Sequence, residues 1–366
     1  MVGLDDVRAT NTALVQRQPL VAVFFGGTSG IGHYTLRALT TAEANGGKGF
    51  RAYIVGRNIK AAEEIIAECR GICPKAQIRF LQTEDISLIQ NVNRVCEEIV
   101  QMEEKEQQDP RIDYLMLSQG GPIFQPRKGA FEIIGYICIS DNFADTKEGI
   151  DVTMSLMYYS RMRAITKLLP LLLKSTLPAT VVSVFAAGYE QKIFPDDLSL
   201  RDLNNYTYST ARSHMIYMHV CFMETLAEQN PGKLSLIHIF PGLVLGPGFE
   251  KHDLPAWFRV LWRYIFVPFF APFLTVPPSE SGDRMLSLAS SRYPPRGATL
   301  AQNKEETTVG TDGELGSGAY SLGKNGDSNN NAKSYENINK DELRQKVWNH
   351  TMSAFETIEA GEVFAD

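Results

Sequence analysis

The chain has 366 residues, 44% of them hydrophobic and 21% charged, a globular mix that excludes a disordered, fibrous or collagen-like chain. Lys and Arg number 36 against 42 Asp and Glu, a formal charge of −6, so no overall basic field exists to attract nucleic acid or an anionic membrane. Five cysteines (Cys69, Cys73, Cys96, Cys138, Cys221) form an odd set without a CxxC pair, which fits reduced thiols and argues against a disulfide framework or a metal site.

Residues 1–19 carry Asp5, Asp6, Arg8 and Arg17 and lack the apolar stretch of a secretory signal. They read as an N-terminal extension of a cytoplasmic protein. Val21–Phe25 is a continuous apolar run stopped by Gly26-Gly27-Thr28-Ser29-Gly30-Ile31-Gly32, with a helical pattern through Leu36 and Leu39 behind it. Ala52–Val55 ends at Gly56-Arg57-Asn58, and Ala61–Cys69 reads as helix. Ile78–Leu81 leads to Glu84-Asp85 and a helix near Ser87–Gln107 whose apolar positions fall three and four apart. Tyr114–Leu117, Val181–Phe185 and Leu234–Phe240 supply three more strands, and long helices are expected around Gly149–Leu169 and Ser209–Gln229. Strands apolar throughout and alternating with helices predict an α/β fold, a doubly wound parallel sheet covered on both faces.

Three segments interrupt the pattern. Gly121–Lys147 and Tyr189–Asn205 follow the fourth and fifth strands, at the carboxyl edge where open α/β sheets bind ligands. The stretch 301–341 is polar and glycine-rich and reads as a mobile loop. Beyond it, Leu343, Val347, Met352, Phe355 and Ile358 recur at helical spacing, so 342–366 should dock as a last helix. The main domain is thus 20–300. Trp257–Val276 has the length of a membrane span, but Arg259 and Arg263 argue against burial in a bilayer. Its aromatic residues suit a lid within 248–280 over a hydrophobic small-molecule substrate. Packing on the body or on a second copy in a homo-oligomer, and peripheral membrane contact through 257–276, stay open as alternatives.

The glycine cluster after the first strand provides a tight turn, a close backbone approach and a free helix N-terminus, the requirements of a pyrophosphate site. NAD-binding folds usually place a carboxylate at the end of the second strand; here stands Arg57, a guanidinium suited to a 2′-phosphate, which points to NADP. Tyr208 and Arg212 lie one helical turn apart on one face, and Arg212 brings the positive charge that favours a tyrosinate. Tyr206 is a competing hydroxyl. Ser183 is the only hydroxyl in Val181–Phe185 and joins the candidate catalytic set, with a buried structural role as its alternative. His214 and His219 read as structural.

Together the glycine pattern at Gly26, Gly30 and Gly32, the strand-end Asp85, Pro241-Gly242 and Tyr208/Arg212 resemble the short-chain dehydrogenase/reductase family over roughly 20–246, with the flavour of fungal secondary-metabolite members. The resemblance implies a seven-stranded Rossmann sheet and hydride transfer between nicotinamide and a carbonyl or alcohol. It implies cofactor contacts from Gly26, Thr28, Ser29, Gly30, Ile31, Gly32, Arg57 and Asn58. Further contacts would come from Asp85 and Ile86 at the adenine, Ser118 and Gly120 behind the fourth strand, Arg212 at the ribose, and Pro241, Gly242 and Val244 at the carboxamide. Three positions depart from the family pattern: Ala186 stands where a serine is expected, Met157 falls near the helix asparagine, and Arg212 replaces a lysine. The readings are therefore two, an NADP-dependent oxidoreductase or a cofactor-binding scaffold or sensor without turnover.

Overall fold

The computed structural model describes residues 2–106, 108–120, 145–245, 260–298 and 307–366. Mostly apolar strands stack side by side as one parallel sheet, with only the edge strand β3 exposing polar residues (Gln77, Arg79, Gln82): β1 (Leu20–Phe25), β2 (Phe50–Gly56), β3 (Gln77–Gln82), β4 (Tyr114–Leu117), β5 (Ala179–Val184), β6 (Leu234–Ile239) and a later strand, Ala319–Leu322. The order is 3-2-1-4-5-6 followed by Ala319–Leu322 at the edge, the doubly wound arrangement expected from the alternating pattern.

Helices cover both faces. On one, α4 (Ile89–Glu106), α6 (Ser160–Leu172) and α7 (Tyr208–Gln229) enclose a core with Val95, Ile165 and Phe222. On the other, α2 (Gly30–Ala44) and the helix Pro278–Leu286 bury Leu36, Leu39 and Met285 against Phe24 and Ile54. Between β4 and β5 the chain passes through a short α5 (Val152–Met154) and a π-helical turn, Ser155–Tyr159, before entering α6. Cys69, Cys73, Cys96 and Cys221 are free and buried; Cys138 lies outside the described residues.

Two expectations about the ends change. Residues 1–19 are no loose extension: Leu4–Arg17 is α1, with Val7, Leu14 and Val15 buried, and Asn11 donating to the Asp283 carbonyl at 3.0 Å. The stretch 301–341 is not a loop throughout, since Ala319–Leu322 is fully buried and pairs with β6 from Leu236↔Ala319 to Ile239↔Leu322. Four apolar-leaning residues between glycine turns are too few to show against their polar surroundings. The helix predicted in 342–366 forms as Lys340–Glu359 and buries Leu343, Val347, Phe355 and Ile358; Met352 packs at the rim of the core.

Candidate functional site

β1 ends in a turn that only glycine can make. Gly26 takes φ +80°, and a Cβ there would lie 2.7 Å from the Gln119 amide nitrogen. Gly32 packs the start of α2 so closely that its Cβ would meet the Gly26 carbonyl and Ser118 Oγ, each at 2.7 Å. Between them Gly30 has φ +57° and open space where a Cβ would stand. Ser29 caps α2 with extended backbone and no side-chain bond to the helix, so the first N–H groups and the positive end of the dipole face this opening. Thr28 lies against Gly56 and Ile31 packs on the core below. The residues fit a phosphate group held by backbone N–H donors.

Arg57 is exposed at the end of β2, and among the described residues no carboxylate pairs with it. Asn58 is partly spent, since its side chain caps α3 (Ile59–Ile72) by accepting from Ala61 N at 3.1 Å. At the end of β3, Asp85 Oδ1 accepts from Ser87 N and Oγ at 2.8 and 2.6 Å, while Ile86 packs at the core's edge. Ser118 Oγ donates to the Phe25 carbonyl at 3.0 Å, tying β4 to β1 beneath the glycine turn. Gly120 is exposed, and a Cβ on it would reach Met157. Pro241 and Gly242 leave β6, with Gly242 at φ +76°, and run into β7 (Leu243–Val244), which pairs with β8 (Thr275–Val276). The aromatic segment therefore returns to the body beside the loop that the family resemblance assigns to the carboxamide. Its residues 257–259 lie outside the described set, as does most of the predicted insertion Gly121–Lys147. Within it, Trp262 and Phe266 stack at 4.3 Å, whereas Val260, Leu261, Tyr264 and Ile265 are exposed.

Tyr208 opens α7, with Thr207 as the N-cap. Burial raises the Tyr208 hydroxyl's pKa and the Arg212 charge pulls it back. The Arg212 guanidinium lies 5.1 Å from the Tyr189 ring centroid. The rival hydroxyl is engaged elsewhere: Tyr206 is buried and donates to Asp151 Oδ2 at 3.2 Å.

Ser183 takes the structural alternative. It is wholly enclosed, accepting from Arg161 Nη1 at 3.0 Å and bonding His219 Nε2 at 3.0 Å, so it cannot meet a substrate. Its side chain alternates inward on β5, whereas Ala186 stands just past the strand end. His219 stacks on His238 at 4.6 Å, and burial lowers its pKa to about 3, so both histidines hold a neutral, structural place. His214 likewise accepts from Phe194 N at 2.9 Å.

The residue that the sequence reading missed is Arg161. Its guanidinium is fully buried without a carboxylate and donates to the Gln119 and Val184 carbonyls at 2.6 and 2.8 Å. Burial lowers its pKa to about 9, so at neutral pH it remains a cation beneath the ends of β4 and β5. Its spacing of four from Met157 was visible in the sequence, but nothing local marks an inward-facing charge.

No family model matches the chain. Among curated proteins it is 35% identical to the short-chain dehydrogenase/reductase SAT2 of Stachybotrys chartarum, with 98% of each chain covered. It is 36% identical to an oxidoreductase of Emericella nidulans, covering 96% of this chain and 98% of that one. Among solved structures it resembles L-sorbose reductase of Gluconobacter frateurii, solved with NADPH and L-sorbose, at a TM-score of 0.50 and 14% identity over 75% of this chain and 91% of that one. The fold and glycine-turn site are those of a Rossmann-type dinucleotide-binding protein. The chain belongs to the short-chain dehydrogenase/reductase family.

Proposed function

We propose that this protein is a cytoplasmic NADP-dependent oxidoreductase acting on a bulky hydrophobic carbonyl or alcohol, in fungal secondary metabolism. The observation that carries the reading is the pairing of Tyr208 with the Arg212 charge at the start of α7, on the same sheet as an open glycine turn at α2. The oxidoreductase names of the fungal relatives and the NADPH of the structural neighbour support it. The bound dinucleotide would supply or accept the hydride.

The chain's own residues do the rest. The backbone N–H groups at Gly30–Gly32 would hold phosphate, Arg57 would take the 2′-phosphate, and Pro241, Gly242 and Val244 would hold the carboxamide. Tyr208 gives its hydroxyl proton to the carbonyl oxygen during reduction and recovers one from solvent. Arg212 stabilises the tyrosinate left behind, offsetting part of the burial that disfavours it. Arg212 stays protonated throughout, so it serves as an electrostatic partner and takes no part in a proton relay. The apolar segment ending at β8 makes the entrance suited to a hydrophobic substrate.

The test is NADPH oxidation with a panel of hydrophobic ketones. Tyr208→Phe should lower kcat by about a hundred- to ten-thousandfold while NADPH still binds; unchanged turnover would remove Tyr208 from the mechanism. A second reading, a dinucleotide-binding scaffold without turnover, is favoured by one observation: Ser183 is sealed by Arg161 and His219, and Ala186 offers no hydroxyl in its place. Tight NADPH binding with no Tyr208-dependent turnover on any ketone would select it.

A further inference from the structure

The chain after β6 closes over a second cavity that shares no lining residue with the glycine turn or Tyr208. Its volume is about 200 Å³, and Glu190, Asp312, Ser321, Asn330, Tyr335 and Lys340 are among the residues that line it. Glu190 follows β5, Ser321 lies on the edge strand, and Lys340 opens the last helix, so three separate parts of the chain converge. Four side-chain oxygens of the lining find no hydrogen-bond partner in the protein: Glu190 Oε2, Ser321 Oγ, Asn330 Oδ1 and Tyr335 Oη. Glu190 is 4% exposed and Ser321 1%. Buried polar atoms are seldom left this way, and four around one cavity call for an occupant.

The lining sets the chemistry of that occupant. The lining cation is already committed: Lys340 Nζ donates to Glu224 Oε1 at 2.6 Å and to the Thr311 carbonyl at 2.8 Å, and lies over the Tyr335 ring. An anion would meet the Glu190 carboxyl, on which the Lys340 charge already acts, and the Asp312 carboxyl, held by Arg296 at 2.9 Å, with no further positive charge to hold it. An apolar molecule would leave all four oxygens unpaired. We infer that this cavity is a binding site for a small primary ammonium compound, whose three N–H donors match Glu190 Oε2, Ser321 Oγ and Asn330 Oδ1. Burial raises the Glu190 pKa to about 7, and a bound ammonium would stabilise its ionised form. The remaining volume takes a short carbon chain. This inference does not depend on the dinucleotide reading.

The experiment is a calorimetric titration of the full-length protein with methylammonium chloride at pH 8, against sodium chloride and tetramethylammonium chloride, which lacks N–H donors. Saturable binding is expected for methylammonium alone, weakened about ten- to a hundredfold by Glu190→Gln and about fivefold by Ser321→Ala. Should Glu190→Gln fail to fold, Ser321→Ala, a smaller lesion, carries the comparison. Absence of saturable methylammonium binding would mean that the cavity holds solvent only and would overturn the inference. Equal binding of tetramethylammonium, or unchanged affinity in the variants, would overturn it as well.

Discussion

Gly30 allows the dinucleotide site to be tested apart from the fold. It sits at φ +57° with nothing within 4 Å of an added Cβ, so Gly30→Ala meets no clash and carries only the cost of a left-handed residue, about 1–2 kcal/mol. Gly361, just past the last helix, has φ +81° and the same open surroundings, so Gly361→Ala is a matched control far along the chain. At about 2.1 cal/mol/K of unfolding entropy per residue, each variant should lose about 1–3 °C in Tm. Their binding should differ. The new methyl of Gly30→Ala occupies the space over the α2 N-terminus and forfeits one or two charged hydrogen bonds to phosphate, about 1.5–3 kcal/mol each, so NADPH affinity should fall by about tenfold to a thousandfold. Fluorescence titration with NADPH, beside a circular-dichroism melt, reads both quantities. An unchanged Kd in Gly30→Ala would place the phosphate elsewhere, and an equal loss in Gly361→Ala would show that the effect is global strain.

The remaining predictions test charge and packing. Arg57→Asp removes the exposed guanidinium at the end of β2 and should shift the NADPH/NADH affinity ratio toward NADH by about 10–150-fold; equal affinity for both in the unmutated protein would remove the basis for NADP. The Glu190 carboxyl is raised from 4.5 to about 7, so between those values the folded chain holds a proton that the unfolded chain has lost. Its contribution to stability therefore falls as pH rises through that window, by about 3 kcal/mol at most. Urea denaturation at pH 5 and pH 8 should show Glu190→Gln stabilised relative to the parent at the higher pH; a parallel pH response in the two proteins refutes the assignment. Phe355 is fully buried with the Arg163 guanidinium 5.0 Å from its ring centroid, so Phe355→Ala should cost about 3–5 kcal/mol. A loss below about 1 kcal/mol would detach the last helix from the cooperative core.

The parts legible in the sequence are those that local rules write. Val21–Phe25 and Ala52–Val55 read as buried strands, and Gly26, Gly30 and Gly32 announce their turn because Gly26 and Gly30 take positive φ and Gly32 has no room for a Cβ. The strand Ala319–Leu322 escaped notice because its partner is Leu236–Ile239, some eighty residues earlier, and pairing at that distance leaves no periodicity behind.

Arg161 escaped for a related reason, and it bears on the positions that depart from the family pattern. Read along the chain, Met157 and Ala186 look like separate losses. In space Arg161 lies close to both regions: it contacts Met157 Sδ at 3.5 Å, donates to the Gln119 carbonyl at 2.6 Å, and its guanidinium lies 5.9 Å from the ring centroid of Phe185, which precedes Ala186. A buried guanidinium needs acceptors, and the carbonyls at the ends of β4 and β5 provide them; a hydroxyl or asparagine in the same space would compete for those carbonyls. In this chain a fixed, buried positive charge thus ties the ends of β4 and β5 together through the Gln119 and Val184 carbonyls.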